Sequence, residues 1–191
     1  MRRIIICESG ATKADWRVVE NGIQTARESS VGMNMSTMKM DVIADTIREI
    51  SALLPSGKYD AIHFYMAGMV TSMIGLELEA VLKTFFDVAE VEVQSDIVAS
   101  ARAACGHAPG IAVILGTGSN SCQWDGEKIV KHIKSGGFII GDDGSASVLG
   151  KLFISDFIKG LVPEHITIDF NKEYDGSYES IIENIYRSKT S

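Results

Sequence analysis

The chain opens on a short apolar run, Ile4-Ile5-Ile6-Cys7, which predicts a buried strand over residues 3–7. Residues 15–20 and 23–27 read as two further strands. They are joined by Asn21-Gly22, a dipeptide suited to a tight hairpin because both positions tolerate positive φ. The period then changes. Between 41 and 54 the apolar residues are Val42, Ile43, Ile47, Ile50, Leu53 and Leu54, the spacing of an amphipathic helix, with Asp41 as its expected N-cap and Pro55 just beyond its end. A strand at 61–66, a helix at 76–86, a strand at 88–93 and an Ala-rich helix at 97–105, opened by Asp96, complete a β-β-β-α-β-α-β-α order.

After Gly106, Pro109 and Gly110 the strand pattern starts again, at 111–115, 121–124 and 128–132, with Asp125-Gly126 as a turn. This second β-β-β opening is an echo of the first. It predicts an α/β fold with mixed sheets and two related domains, 1–109 and 110–191. The second copy is expected to be incomplete. A helix at 151–161 is followed by a weakly amphipathic tail in which Ile181, Ile182 and Ile185 could share one short helical face, and no later strand has comparable strength. An opening of antiparallel strands is not the strand-to-helix step of a Rossmann unit or a Walker P-loop.

Composition narrows the function classes. The chain has 191 residues, 46% of them hydrophobic, and its 18 basic and 25 acidic side chains leave a net charge of −7. With no basic block, nucleic acid and anionic membrane are not expected as partners. Cys7, Cys105 and Cys122 are scattered without a CxxC pair, so buried reduced thiols are expected rather than an iron–sulfur or zinc site. The histidines at 63, 107, 132 and 165 form no metal-binding spacing, and no GxSxG elbow is present. Methionines such as Met33, Met35, Met38, Met40, Met66, Met69 and Met73 are expected to fill core gaps. Arg2-Arg3 precedes too short an apolar run for a signal peptide or a membrane span, so a cytoplasmic location is expected.

The candidate chemistry lies in polar turns. Glu8-Ser9-Gly10-Ala11-Thr12-Lys13 leaves the first strand, and Gly116-Thr117-Gly118-Ser119-Asn120 leaves the strand at 111–115. Glycine lets backbone N–H groups crowd around an anion, and hydroxyls and a lysine can add to the grip, so the two loops together predict a polyphosphate clamp. A plain hairpin turn is an equal reading of the first loop by itself. Glu8, at a strand end, could hold hydrated Mg²⁺. Asp96 could take a proton from an attacking hydroxyl, although an isolated Asp before a helix is more often a cap. Gly141-Asp142-Asp143-Gly144-Ser145 could bind sugar hydroxyls or a metal, or be a surface turn.

The blocks CESGATKADW, SVGMN, FYMAGM, SDIVASARAACG, GIAVILGTGSNSCQWDG and GGFIIGDDGSASVLGKLF run through most of the chain. Together they resemble the N-acetylglucosamine kinase-like group of the sugar kinase/Hsp70/actin superfamily. That group includes the ATPases that activate benzoyl-CoA reductase and 2-hydroxyacyl-CoA dehydratase. The resemblance implies duplicated ribonuclease H-like, actin-like ATPase domains and an ATP-dependent amino-sugar kinase acting on a sugar 6-hydroxyl.

It further implies phosphate binding by Ser9, Gly10, Ala11, Thr12 and Lys13 and by Gly116, Thr117, Gly118 and Ser119. Asp96 becomes the catalytic base, Asn34, Asn120 and Asp142 the sugar contacts, Glu8 the Mg²⁺ ligand, and ATP and a sugar the partners; a homodimer is left open. Glu8 stands where the group usually has Asp, Asp143 where it usually has Glu, and the sugar-binding tryptophan of the animal enzymes has no counterpart near Gly136-Gly137. A non-catalytic sugar- or nucleotide-binding module is the alternative, followed by a reductase-activating ATPase, which would need cysteines placed to bridge a cluster.

Overall fold

A computed structural model describes residues 2–34, 38–68 and 71–187. By its contacts the chain divides into two compact units. The first is Met1–Ile114 with Asn120–Lys134, and the second is Leu115–Ser119 with Ser135–Ser191. This is a different division from the expected 1–109 and 110–191.

The first unit is organised by a mixed five-stranded sheet in the order β3-β2-β1-β4-β5. β1 (Arg3–Ser9), β2 (Lys13–Glu20) and β3 (Ile23–Val31) form an antiparallel meander. Its β2–β3 turn has φ of 49° at Asn21 and 84° at Gly22, as an Asn-Gly hairpin requires. β4 (Tyr59–Met66) and β5 (Val88–Ser95) run parallel to β1 because helices carry the chain back between them. β3 extends past the expected residue 27 to Val31, since Glu28, Ser29 and Ser30 pair with β2 along an edge where both faces tolerate polar side chains.

Strand alternation gives the sheet two unlike faces. Ile5 and Cys7 of β1, Ala14, Trp16 and Val18 of β2, and Ile62, Phe64 and Met66 of β4 are buried on one face. They pack in one core with Ile43, Ile47 and Ile50 of α1 (Met40–Leu53) and with Leu78 and Leu82 of α2 (Ser72–Phe85). The Trp16 ring meets Phe64 edge-on at 5.4 Å and stacks on Phe86 at 6.4 Å. α1 begins one residue before Asp41. Lys39 is its N-cap, and Asp41 lies in its first turn, where it accepts from the Val42 amide. Met33 and Met66 are core residues, Met38 and Met40 pack against the core, and Met73 is exposed; Met35 and Met69 lie outside the described residues.

The other sheet face is mixed, with Ile4, Ile6 and Ala61 beside Glu8, His63 and Glu92, and carries α3 (Asp96–Cys105). Ile97 and Ala101 of α3 turn to a second core with Ala112, Cys122 and Trp124, from the sheet β6 (Gly110–Leu115), β7 (Ser119–Trp124) and β8 (Ile129–Ile133). These three strands are consecutive and adjacent, as the second β-β-β pattern implies.

The second unit holds α4 (Gly137–Ile140), α5 (Ala146–Ile158), α6 (Glu164–Glu173) and α7 (Tyr178–Tyr186). Phe153, Phe157 and Phe170 cluster at 4.6 to 5.9 Å, with Tyr174 stacked on Phe170. Ile181 is its one buried hydrophobic among the described residues, while Phe138, Ile139, Ile140, Leu149, Leu152 and Leu161 are exposed. No helix among the described residues is long and apolar enough to cross a membrane.

Candidate active site

In the first unit the candidate residues gather at the C-terminal ends of the parallel strands, where ligands of α/β sheets bind. Register sets the arrangement. Glu8 lies opposite Tyr65, which lies opposite Gln94, and Ser9 lies opposite Met66, which lies opposite Ser95. Glu8 is therefore on the face that carries α3, and Asp96 follows directly after β5 as the first residue of that helix.

Ser9 is fully buried. Its hydroxyl is 2.7 Å from the Met33 amide, which donates to it, and 3.1 Å from the Met33 carbonyl, to which it donates. The serine expected on phosphate thus stitches β1 to the Gly32-Met33-Asn34 segment. The loop is tightly made: the Gly10 amide donates to Lys13 O at 3.0 Å and the Gly32 amide to Thr12 O at 3.0 Å. A Cβ on Gly32 would stand 2.4 Å from Gly10 O and 2.6 Å from Thr12 N, so only glycine allows this approach. Ala11, Thr12 and Lys13 are exposed. Asn34 sits at a parallel bridge with Ala67, whose amide donates to Ser9 O.

Asp96 is half-buried. One carboxylate oxygen accepts from the Ile97 amide at 2.8 Å and from the Ser95 hydroxyl at 3.0 Å. Ser95, not Asp96, is the helix N-cap. Burial raises the Asp96 pKa above its usual range, against those hydrogen bonds and the nearby His132. His132 pairs with the Asn120 side-chain oxygen at 2.7 Å, and that oxygen also accepts from the Ser121 amide. Asn120, His132 and Asp96 therefore belong to one neighbourhood of the first unit. Nothing in the spacing of the scattered histidines singles out His132.

Glu8 is also raised, by burial first and then by the negative charges of Asp96 and Asp15. Asp15, its cross-strand partner, is neutralised by Arg27 at 2.9 Å and Arg17 at 2.8 Å. Among the described residues no ion pair forms with Glu8. A carboxyl whose charge is opposed by Asp96 and matched by no cation is a donor set that a divalent ion would relieve. One or two carboxylates together with substrate phosphates suit Mg²⁺. No group of three metal-ligating side chains occurs among the described residues.

The same face holds a network that sequence reading missed. Arg102 of α3 reaches both oxygens of Glu92 on β5, at 2.8 and 2.9 Å, and the Tyr65 hydroxyl on β4 at 2.7 Å. His63 of β4 meets Glu92 at 2.8 Å. Arg102 first, and His63 after it, hold the Glu92 carboxyl at about 2, despite its partial burial. The available signal was register: His63 and Glu92 are partners only once β4 and β5 are paired in parallel.

In the second unit the Gly116–Ser119 turn and the Asp142 turn hold each other. The Gly116 amide donates to Gly118 O at 2.9 Å, Ala146 N to Gly116 O at 2.9 Å and Ser147 N to Thr117 O at 3.2 Å. Asp142 is buried at a φ of 57°, and its carboxylate accepts from the Ser119 amide at 3.1 Å. A Cβ on Gly118 would meet that carboxylate at 3.0 Å. The Ser119 amide, expected on phosphate, is thus held by Asp142, which the sequence reading placed on sugar. Ser145 caps α5 through Val148 N, moving the helix start to Ala146 from the expected residue 151.

Over 98% of its length the chain is 35% identical to a candidate N-acetylglucosamine kinase from Porphyromonas gingivalis, with a TM-score of 0.80, and covers 67% of that protein. The chain belongs to the N-acetylglucosamine kinase-like family. A second candidate kinase of that name, from Chromobacterium violaceum, shares the fold at a TM-score of 0.71 and 18% identity, with 98% of this chain and 69% of that one covered. MreB5 of Spiroplasma citri, solved with ADP, matches 96% of this chain and 62% of its own at a TM-score of 0.55 and 13% identity. The family fold is thus the actin-like ATPase fold, as the resemblance implied. No family model and no curated protein matches the chain.

Proposed function

We propose that this chain carries the machinery of an ATP-dependent amino-sugar kinase, transferring the γ-phosphoryl group to the 6-hydroxyl of N-acetylglucosamine or glucosamine. The observation that carries the reading is Asp96. It stands at a strand end where ligands bind, its side chain is ordered by Ser95 and Ile97, and burial makes it a stronger base than an exposed aspartate. The substrate class comes from membership of the family.

In this reading Asp96 takes the proton from the sugar hydroxyl as its oxygen bonds to phosphorus, and the bond to the β-phosphate oxygen breaks to release ADP. Asn34 and Asn120 orient the sugar, while Asp142 holds the Gly116–Ser119 turn in shape through the Ser119 amide. The Ala11-Thr12-Lys13 turn and residues Gly116 to Gly118 bind phosphate, with Ser9 holding the first turn in shape rather than touching the ligand. Glu8 would hold Mg²⁺, which neutralises phosphate charge when bound. Residues 1–109 and 110–191 would derive from the two related domains of the fold.

Coupled measurement of ADP release with glucosamine, N-acetylglucosamine and glucose tests the reading. ADP release stimulated by an amino sugar is expected. Sugar binding with no stimulation would replace the kinase by a binding module.

A further inference from the structure

β5 fixes where α3 begins, because Asp96 follows Ser95 without a linker. The apolar side of α3, Ile97 and Ala101, packs with Ala112, Cys122 and Trp124 of the β6–β8 sheet, and the Trp124 ring N–H donates to Gly106 O at the helix end. Glu8, in contrast, belongs to β1 of the five-stranded sheet. The apolar side of α3 is thus held by one sheet, while Glu8, the acidic neighbour of Asp96, belongs to the other.

Among the described residues, one polar fastening ties the far half of α3 to the five-stranded sheet. Arg102 lies about 9 Å along the helix axis from Asp96. Its planar guanidinium grips Glu92 through two parallel bonds and reaches the Tyr65 hydroxyl, with the Tyr65 ring 5.7 Å from its charge centre. The fork spans β4 and β5 together, so it fixes an angle as well as a distance.

We propose that Arg102, clamped by Glu92 and Tyr65, is a positioning residue that sets the direction of α3 and with it the placement of the Asp96 carboxylate over the ends of β1, β4 and β5. The proposal rests on the reading of Asp96 as the base. Arg102 touches no reacting atom. Its effect is on the geometry of proton transfer, where a displacement of about 1 Å can cost on the order of 10²-fold in rate.

The test compares wild type with Arg102→Met, Arg102→Lys and Glu92→Gln, by steady-state kinetics with N-acetylglucosamine and Mg-ATP and by hydrogen exchange of the backbone amides. In Arg102→Met, kcat is expected to fall by ~10-fold or more while both KM values stay within about twofold. Amides of α3 should exchange faster while those of β1 and β2 keep their protection. Lysine, a point charge without the fork, should restore only part of the rate, and Glu92→Gln should reproduce the exchange change if Arg102→Met folds poorly.

Unchanged kcat, unchanged α3 exchange, or a rate loss matched by equal loss of β1 and β2 protection would overturn the proposal. A wild-type protein without sugar-dependent turnover would overturn the kinase reading instead, and the exchange data would then decide the clamp by themselves.

Discussion

Replacing Asp96 with asparagine is expected to lower kcat for sugar phosphorylation by ~10²–10⁴-fold, the range for loss of a positioned general base. The substitution is nearly isosteric. The asparagine oxygen can still accept from the Ile97 amide and the Ser95 hydroxyl, so the start of α3 should keep its shape. Stability gives a second, opposite signature. The Asp96 pKa is raised on folding, so burying its charge costs stability above the ordinary carboxyl range. Removing that charge should leave the melting temperature at neutral pH equal or higher.

The pH profile separates a base from a fold element. Wild-type kcat should fall as pH drops through the raised Asp96 pKa, an acid limb lying above that of an exposed aspartate, and this limb should vanish from the residual activity of the variant. A variant that keeps wild-type kcat would remove Asp96 from the chemistry.

Replacing Gly32 with alanine should damage the first loop more than any exposed substitution in it. The new Cβ would lie 2.4 Å from Gly10 O and 2.6 Å from Ala11 C and Thr12 N, all backbone atoms that cannot swing aside. Either the loop moves outward or the Gly32–Thr12 hydrogen bond breaks, at a cost of about 1–3 kcal/mol. KM for ATP should rise by about 10-fold or more if the first loop binds phosphate as proposed, because its backbone would be displaced. Gly75→Ala in α2 is the control, since its added Cβ meets nothing within 4 Å. Unchanged nucleotide KM in Gly32→Ala would show that the loop does not bind phosphate.

Much of the first unit was legible because each signal there agrees with the others. Alternation in β1, β2 and β4 matches the face that α1 and α2 cover, and Asn21-Gly22 fixes the hairpin. The polar turns also stood out, since few plain turns combine glycines with short hydroxyl residues. What the spacing could not reveal was commitment. Ser9 reads as an exposed loop hydroxyl until β1 is seen beside Met33, and Gly32 reads as an ordinary glycine until Gly10 and Thr12 are seen against it.

The Arg102 clamp was hidden for the same reason, since its partners come from two strands and a helix. α6 was missed because its order comes from Phe170 meeting Phe153, Phe157 and Tyr174, not from a continuous apolar stripe. In the second unit, exposed Phe138, Leu149 and Leu152 leave periodicity a poor guide to burial.

The central claim is tested most directly by the identity of the product. The chain, incubated with Mg-ATP and N-acetylglucosamine or glucosamine, should yield a sugar monophosphate whose phosphorus couples to the C6 protons and carbon by NMR, in equal amount to the ADP formed. ADP without phosphosugar, or no product from either amino sugar while the chain remains folded, would contradict it.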